Sequence, residues 1–244
     1  MGRQGDSMRA SPYFRVKRRC QSVSYAVRYP KGMHSAGGAT RRDARRNHER
    51  LLVEAKTLFA EQGIEASLDE LATRAGVGAG TVYRHFPSRD DLVRELYDRA
   101  IESLDDLADE ILAAPSGWRG VEVYVERLSQ WVISDPGIPA LLRRMGQIDP
   151  DYRPAARFEK PIAELVERAH REGTLRTDVD GVDLTVIVGM IGSLAQFGGA
   201  YLPFWRRQLG IVLDGLRAEP GRATELPGPG QDMDGYHAMV HQPE

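Results

Sequence analysis

The 244-residue chain has one cysteine, Cys20. One thiol builds neither an internal disulfide framework nor a cysteine-based zinc site. Such sparing use of cysteine fits a reducing compartment, so the cytoplasm is the expected location. Lysine is scarce too, four against twenty-nine arginines, a bias we ascribe to genome composition. Enzyme signatures are missing: the sequence has no phosphate-binding P-loop, no G-x-S-x-G elbow and no H-E-x-x-H pair. Gly78 and Gly80 follow a predicted helix rather than a strand, which removes a dinucleotide site. The six histidines are scattered. His237 and His241 share i, i+4 spacing but fall in a Pro/Gly-rich tail, so neither a metal nor a cofactor is expected. No run alternates long enough to argue for a sheet. Residues 1–40 lack the continuous apolar core of a signal peptide.

One stretch is short of charge altogether. Leu184 to Trp205 carries none, and about 20 such residues can span a bilayer. Thr185, Gln196, Gly198, Gly199 and Pro203 make a poor spanning helix, and Asp183 and Arg206 press on its ends. A helix buried at a subunit interface explains the same run, so no membrane partner is expected.

The net charge of −2 hides an uneven spread. Residues 1–40 carry +7, residues 41–100 carry 0 and residues 101–244 carry −9. A basic front and an acidic rear point the front toward a polyanion. Residues 1–40 themselves read as a disordered basic extension, with or without a partner of their own. Met33 stands shortly before the first clear helix and is an alternative start of translation. An intact mass beginning at Met1 would exclude that.

What is present is helical periodicity. Leu51, Leu52, Ala55, Leu58 and Phe59 predict a helix over about 43–62, ended by Gly63. Ser67 and Glu70 read as a capping box opening a second helix, which Gly76 stops. A short third helix follows from about Ala79 through Phe86, broken by Pro87. Ser88 caps a fourth, predicted to run to about Ala113. Beyond Pro115 come helices marked by Val121 to Val132, Ile138 to Met145, Phe158 to Ala169, Asp183 to about Tyr201, and Phe204 to Leu216. The expected fold is all-α: an N-terminal three-helix helix-turn-helix domain (41–87), a connecting helix (88–113) and a larger C-terminal helical domain (114–217). A disordered tail (218–244) would follow.

Two short helices joined by a Gly-containing turn form a reader of double-stranded DNA. Its recognition helix spans roughly Ala79 to His85. Thr81 suits a phosphate or a thymine methyl, and Arg84 suits a bidentate pair with guanine. Tyr83 and His85 suit phosphates, which position without specifying. Ser67 opens the first of the two helices. Gly80, beside Gly78, allows close backbone approach. Arg41, Arg42, Arg45 and Arg46 can reach phosphates or the neighbouring minor groove. Arg89 is positioned to clamp a further phosphate.

The run AGVGAGTVYRHFPSRDDL, Ala75 to Leu92, closely resembles the most recognisable stretch of the TetR family of bacterial transcription regulators. The resemblance covers residues 42–100, about a quarter of the chain. It implies an all-helical homodimer with a small-molecule pocket behind the reader. Two departures are visible. Gly78 and Ala79 stand where the family often has serine and a polar or basic residue. Arg89 replaces a common lysine and keeps its charge.

The rear is less informative. Tyr124, Leu128, Trp131, Met145, Phe158, Ile162, Met190 and Phe197 are the candidates to line a pocket, which the resemblance rather than the residues implies. Its small-molecule effector would be largely apolar. Ile187, Ile191, Leu194, Phe204, Val212 and Leu216 are the expected dimer face, with Gly189 and Ser193 permitting close helix approach. The expected function is therefore a ligand-responsive repressor that binds a palindromic operator as a homodimer and is released by its effector. Two alternatives stay open: a dimeric regulator without a ligand, and a small-molecule binding protein that no longer reads DNA.

Overall fold

The structure is a computed structural model and describes residues 38–135, 137–197, 204–218, 232 and 234–235. The side chains of residues 38–42, 196 and 197 lie outside that description. So do the expected N-terminal extension, Met33, most of the tail and its two histidines.

Helix α1 (Gly38–Gln62) starts several residues earlier than its apolar pattern predicts. Leu51, Leu52, Ala55 and Leu58 are buried along one stripe. Gly63 then turns the chain at φ +89°, a conformation that costs a residue with a Cβ. Helix α2 (Leu68–Ala75) is capped by Ser67, whose Oγ accepts from the Glu70 amide at 3.1 Å. The return half of the expected box is missing, because the Glu70 carboxylate accepts from the Gln62 side chain instead. Gly76, at φ +62°, closes α2. Helix α3 (Ala79–His85) follows, and Val82 and Phe86 sink into the core beneath it.

Helix α4 (Arg89–Glu102) opens on a complete capping box of Ser88 and Asp91. It does not run to Ala113 as the periodicity predicts. The chain turns at Ser103–Asp106 and resumes as α5 (Leu107–Leu112). Ser103 Oγ donates to the Ala100 carbonyl at 2.6 Å, competing with the helical ladder. The same oxygen accepts from Trp131 Nε1 at 3.1 Å. A partner 28 residues away thus pins the break.

Helix α6 (Gly117–Ser134), capped by Ser116, packs against α8 (Glu159–Arg171) and α9 (Gly181–Gly192). Helix α7 (Ile138–Ile148) lies along α4. A 3-10 turn, Pro154–Phe158, leads into α8. Helix α9 has its own capping box, Asp180 with Asp183. It stops at Gly192 rather than near Tyr201. Gly192 lies so close to α6 that a Cβ there would stand 2.5 Å from Val132, and Ser193 Oγ donates to the Met190 carbonyl. A 3-10 turn, Ser193–Phe197, follows, and residues 198–201 of the expected helix lie outside the described residues. Helix α10 (Trp205–Leu216) closes the fold, and Arg217 bridges antiparallel to Leu175.

Among the described residues there is no strand and no helix long and apolar enough to cross a membrane. Front and rear share one continuous hydrophobic core, with α4 as its spine: Leu92, Val93, Leu96, Tyr97, Ala100 and Ile101 are all buried. The Tyr97 hydroxyl is pushed up to about 12 by burial first, then by Asp98 and Tyr152.

Candidate nucleic-acid interface and the region behind it

Helix α3 is held from one side only. Val82 is 0% and Phe86 1% exposed, whereas Tyr83 is 45% exposed and Arg84 and Gly80 are open to solvent. Thr81 is half-buried. The spacing explains this, since 82 and 86 share one face and 80, 83 and 84 the other. A Cβ added at Gly78 or Gly80 would meet nothing within 4 Å, so the backbone there is bare on its outer side. Arg84 folds back along its own helix. Its Nε donates to the Gly80 carbonyl and its Nη2 to Thr81 Oγ1, both at 3.1 Å. These exposed bonds are weak and exchangeable.

Two of the expected contact residues also bond within the protomer. Arg89 donates Nη1 to the Glu65 carbonyl at 2.9 Å and pairs Nη2 with the Glu65 carboxylate at 2.5 Å. It ties α4 to the turn before α2. His85 is half-buried, its Nδ1 3.3 Å from His48 Nδ1. Burial lowers its pKa from the ordinary value, the positive charges of His48 and Arg84 lower it further, and Glu95 opposes them. His48 itself stacks on Phe86, with ring centroids 5.1 Å apart, and donates Nε2–H to Glu95 at 2.6 Å. Glu95 also accepts from Arg99, which grips Glu49 with two bonds of 2.7 and 2.9 Å. This polar cluster of α1, α3 and α4 was not expected from the sequence. Its links between helices span 37 to 50 residues, beyond any local pattern. Arg45 and Arg46 are exposed on α1, while Arg41 and Arg42 lie on that helix with side chains outside the described residues. Ser67 is exposed and serves as the α2 cap.

A ladder joins α4 to the segment of α7 and the turn after it. Asp90 accepts from Arg144 at 2.8 Å, Arg94 donates to Asp149 at 3.0 Å, and Asp98 accepts from the Tyr152 hydroxyl at 2.7 Å. Arg157 donates to the Ile101 carbonyl at 3.0 Å and pairs with Asp105. The rungs at 90, 94, 98 and 101 recur at helical period, so any sliding of α4 along α7 breaks them together.

The expected pocket residues differ in burial. Tyr124, Met145, Phe158 and Ile162 are buried, and Leu128 and Trp131 half-buried. Thr185 Oγ1 spends its hydrogen on the Gly181 carbonyl, so the Tyr124 hydroxyl donates to Thr185 at 2.9 Å. Met190 is 61% exposed and lines no interior. Phe197 lies among the undescribed side chains. A cleft among Lys56, Phe59, Leu96, Asp135, Ile138 and Leu141 encloses about 360 Å³ including open solvent, and none of the expected pocket residues lines it. Sequence reasoning also missed Ser129, whose fully buried Oγ has no partner among the described residues. Leaving such a hydroxyl unsatisfied costs about 1–3 kcal/mol.

The expected dimer face divides. Ile191 and Leu216 are buried within the protomer, at 4% and 7% exposed. Ile187, Leu194 and Val212 are half-buried. Phe204 is 55% exposed, and it is joined by Met190 and by Ile211 at 57%.

Residues 51–96 match the family described as "Bacterial regulatory proteins, tetR family". Residues 120–218 match "Transcriptional regulator SbtR-like, C-terminal domain". Together these take in more than half of the chain. An HTH-type transcriptional regulator of Staphylococcus aureus is 38% identical over 63 residues, 25% of this chain and 34% of its own. The chain thus spans about a third of the length of the curated relatives it matches. A TetR transcriptional regulator from Streptomyces coelicolor is 27% identical, with 70% of this chain and 98% of its own covered and a TM-score of 0.50. A TetR transcription regulatory protein from Mycobacterium vanbaalenii is 31% identical over 73% of this chain and 99% of its own, with a TM-score of 0.48. With its reader in front and its helical domain behind both matched, the chain belongs to the TetR family of bacterial regulatory proteins.

Proposed function

We propose that the protein is a cytoplasmic, ligand-responsive transcriptional repressor that binds a palindromic DNA operator as a homodimer. The observation that carries this is the one-sided burial of α3: its inner residues anchor it while Tyr83, Arg84 and Gly80 face outward. Arg84 reads a guanine edge, Tyr83 and Thr81 hold phosphates, and Arg45 and Arg46, with Arg41 and Arg42, supply charge beside the groove. Met190, Phe204 and Ile211 form the seam between subunits.

The effector acts through α4. Moving occupancy from 99:1 to 1:99 takes about 5.5 kcal/mol of differential binding, which a buried apolar ligand can supply. The ladder from Asp90 to Ile101 supports this, because it ties α4 to the rear segment, so that a displacement there would carry to α4. The unpartnered Ser129 hydroxyl supports a ligand with one polar group in an otherwise apolar rear. The competing reading, a rear domain that only dimerises, draws on the tight packing of Tyr124, Met145 and Ile162.

Arg84→Ala tests the reader. Its two hydrogen bonds are to its own exposed helix, so the fold loses little. Specific binding is expected to weaken by about 1–3 kcal/mol with discrimination relaxed at one base position. Titration of variant and native protein on the selected duplex and on single-base variants of it reads both. Unchanged affinity and unchanged preference remove Arg84 from the interface.

A further inference from the structure

The recognition helix ends in a chain of three titratable groups that a simple reader does not need. Glu95 on α4 faces His48 on α1, and His48 faces His85 at the last turn of α3. The chemistry of the two contacts restricts where protons sit. Glu95 accepts at 2.6 Å, so His48 carries hydrogen on Nε2. The two Nδ1 atoms face each other at 3.3 Å, and only one of them can hold a hydrogen.

Two states satisfy these contacts. In the neutral state His85 donates Nδ1–H to a bare His48 Nδ1, and His85 Nε2 is left as an acceptor. In the charged state the pair holds one more proton, His48 donates, and His85 presents Nε2–H as a donor. A phosphate oxygen only accepts, so it is repelled by the first state and bonded by the second. The Glu95 carboxylate lies against His48, the ring that holds both hydrogens in the charged state. Burial together with His48 and Arg84 disfavours the charge on His85. Arg99 and Glu49 stand behind Glu95 and hold its carboxylate in place.

We propose that Glu95 and His48 are positioning residues for His85, and that DNA phosphate selects the state in which His85 presents Nε2–H, each reader taking up one proton from solution as it docks. This rests on the DNA-binding reading above. It gives the protein an affinity for DNA that falls as pH rises. The titration belongs to the histidine pair and not to either ring alone. The sign follows from linkage: the bound state holds one more proton per reader, so raising pH above the pair's titration range drains binding. On that alkaline side the dissociation constant rises up to tenfold per pH unit for each reader, and up to about a hundredfold for a dimer using two. On the acid side it is flat.

The test uses the full chain and a duplex recovered from a random-sequence pool, titrated between pH 6 and 9 at constant salt. The key variant is His48→Phe, which keeps a flat ring on Phe86 but cannot accept from His85. His85 then turns its single hydrogen to Nε2 by tautomerisation and needs no extra proton. The variant is expected to lose the alkaline slope and to bind more tightly than the native protein at pH 9, an outcome that unfolding cannot imitate. Glu95→Gln removes the counter-charge and moves the loss of affinity to lower pH. Nitrogen-15 spectra of the imidazoles, taken at pH 8 without DNA, should place the His85 hydrogen on Nδ1 in the native protein and on Nε2 in His48→Phe. Parallel pH curves for native protein and His48→Phe, or an Nε2–H tautomer at native His85, overturn the proposal alone. Failure to bind any duplex at any pH overturns the DNA reading and this proposal with it.

Discussion

Replacing Phe204 and Ile211 together by aspartate is expected to leave a folded monomer with little affinity for its operator. The two residues are 55% and 57% exposed in the protomer, seven positions apart and so on one face of α10. Trp205, Leu209 and Leu216 hold the opposite face in the core, so charge at 204 and 211 does not touch the packing of α10. In a twofold interface each substitution counts twice. Fully burying an exposed large apolar side chain is worth about 1.5–3 kcal/mol, and with little more than half of each still exposed in the protomer, four such side chains supply roughly 3–7 kcal/mol before desolvated charge is added. A nanomolar dimer rests on about 12 kcal/mol in all. Sedimentation at micromolar concentration should therefore show native dimer and variant monomer, with unchanged helix content. Operator affinity falls by at least about a hundredfold, since a single reader engages one half-site. A variant that remains dimeric moves the seam to another face.

Gly117→Ala is expected to be the most damaging single methyl in the rear domain. A Cβ at position 117 would stand 2.5 Å from both Cα and N of Ala169. These are backbone atoms of α8, with no flexible side-chain end to yield, so α6 and α8 must move apart. Overpacking of this kind costs about 1–3 kcal/mol and occasionally more. The shift also strains the bond from the Gly117 amide to Glu172 at 2.7 Å. For a chain of this size about 3 kcal/mol lowers Tm by roughly 6–12 °C, which calorimetry reads directly. Gly210→Ala is the control, because nothing lies within 4 Å of a Cβ there and α10 gains helix propensity. Equal melting points for the two variants contradict the packing of α6 on α8.

The front of the fold was legible because its signals are local. Gly63 and Gly76 have positive φ where the sequence calls for helix stops, and Ser67 and Ser88 are caps. The alternation of Val82 and Phe86 with Tyr83 and Arg84 separates core from outer face. Contacts between distant segments were not legible. Trp131 fixes the end of α4, Glu65 engages Arg89, and His48 engages His85, each from more than 20 residues away. In the rear the apolar pattern itself fails. Helix α9 is apolar on nearly every side, so periodicity cannot say that Ile191 faces the core and Met190 faces out. The steric limits at Gly117 and Gly192 exist only once helices pack, and no glycine announces them in sequence.

The central claim is that α3 reads a palindrome from a dimer, and a footprint tests it most directly. Purified protein would be bound across a salt series to DNA flanking its own coding region and to a duplex selected from a random pool, then probed by hydroxyl radical cleavage. The account predicts a protected palindrome whose half-site centres lie one helical turn apart, about 34–36 Å, with affinity falling steeply as salt rises. Equal, weak binding to every fragment, with no protected site on either DNA, would contradict it.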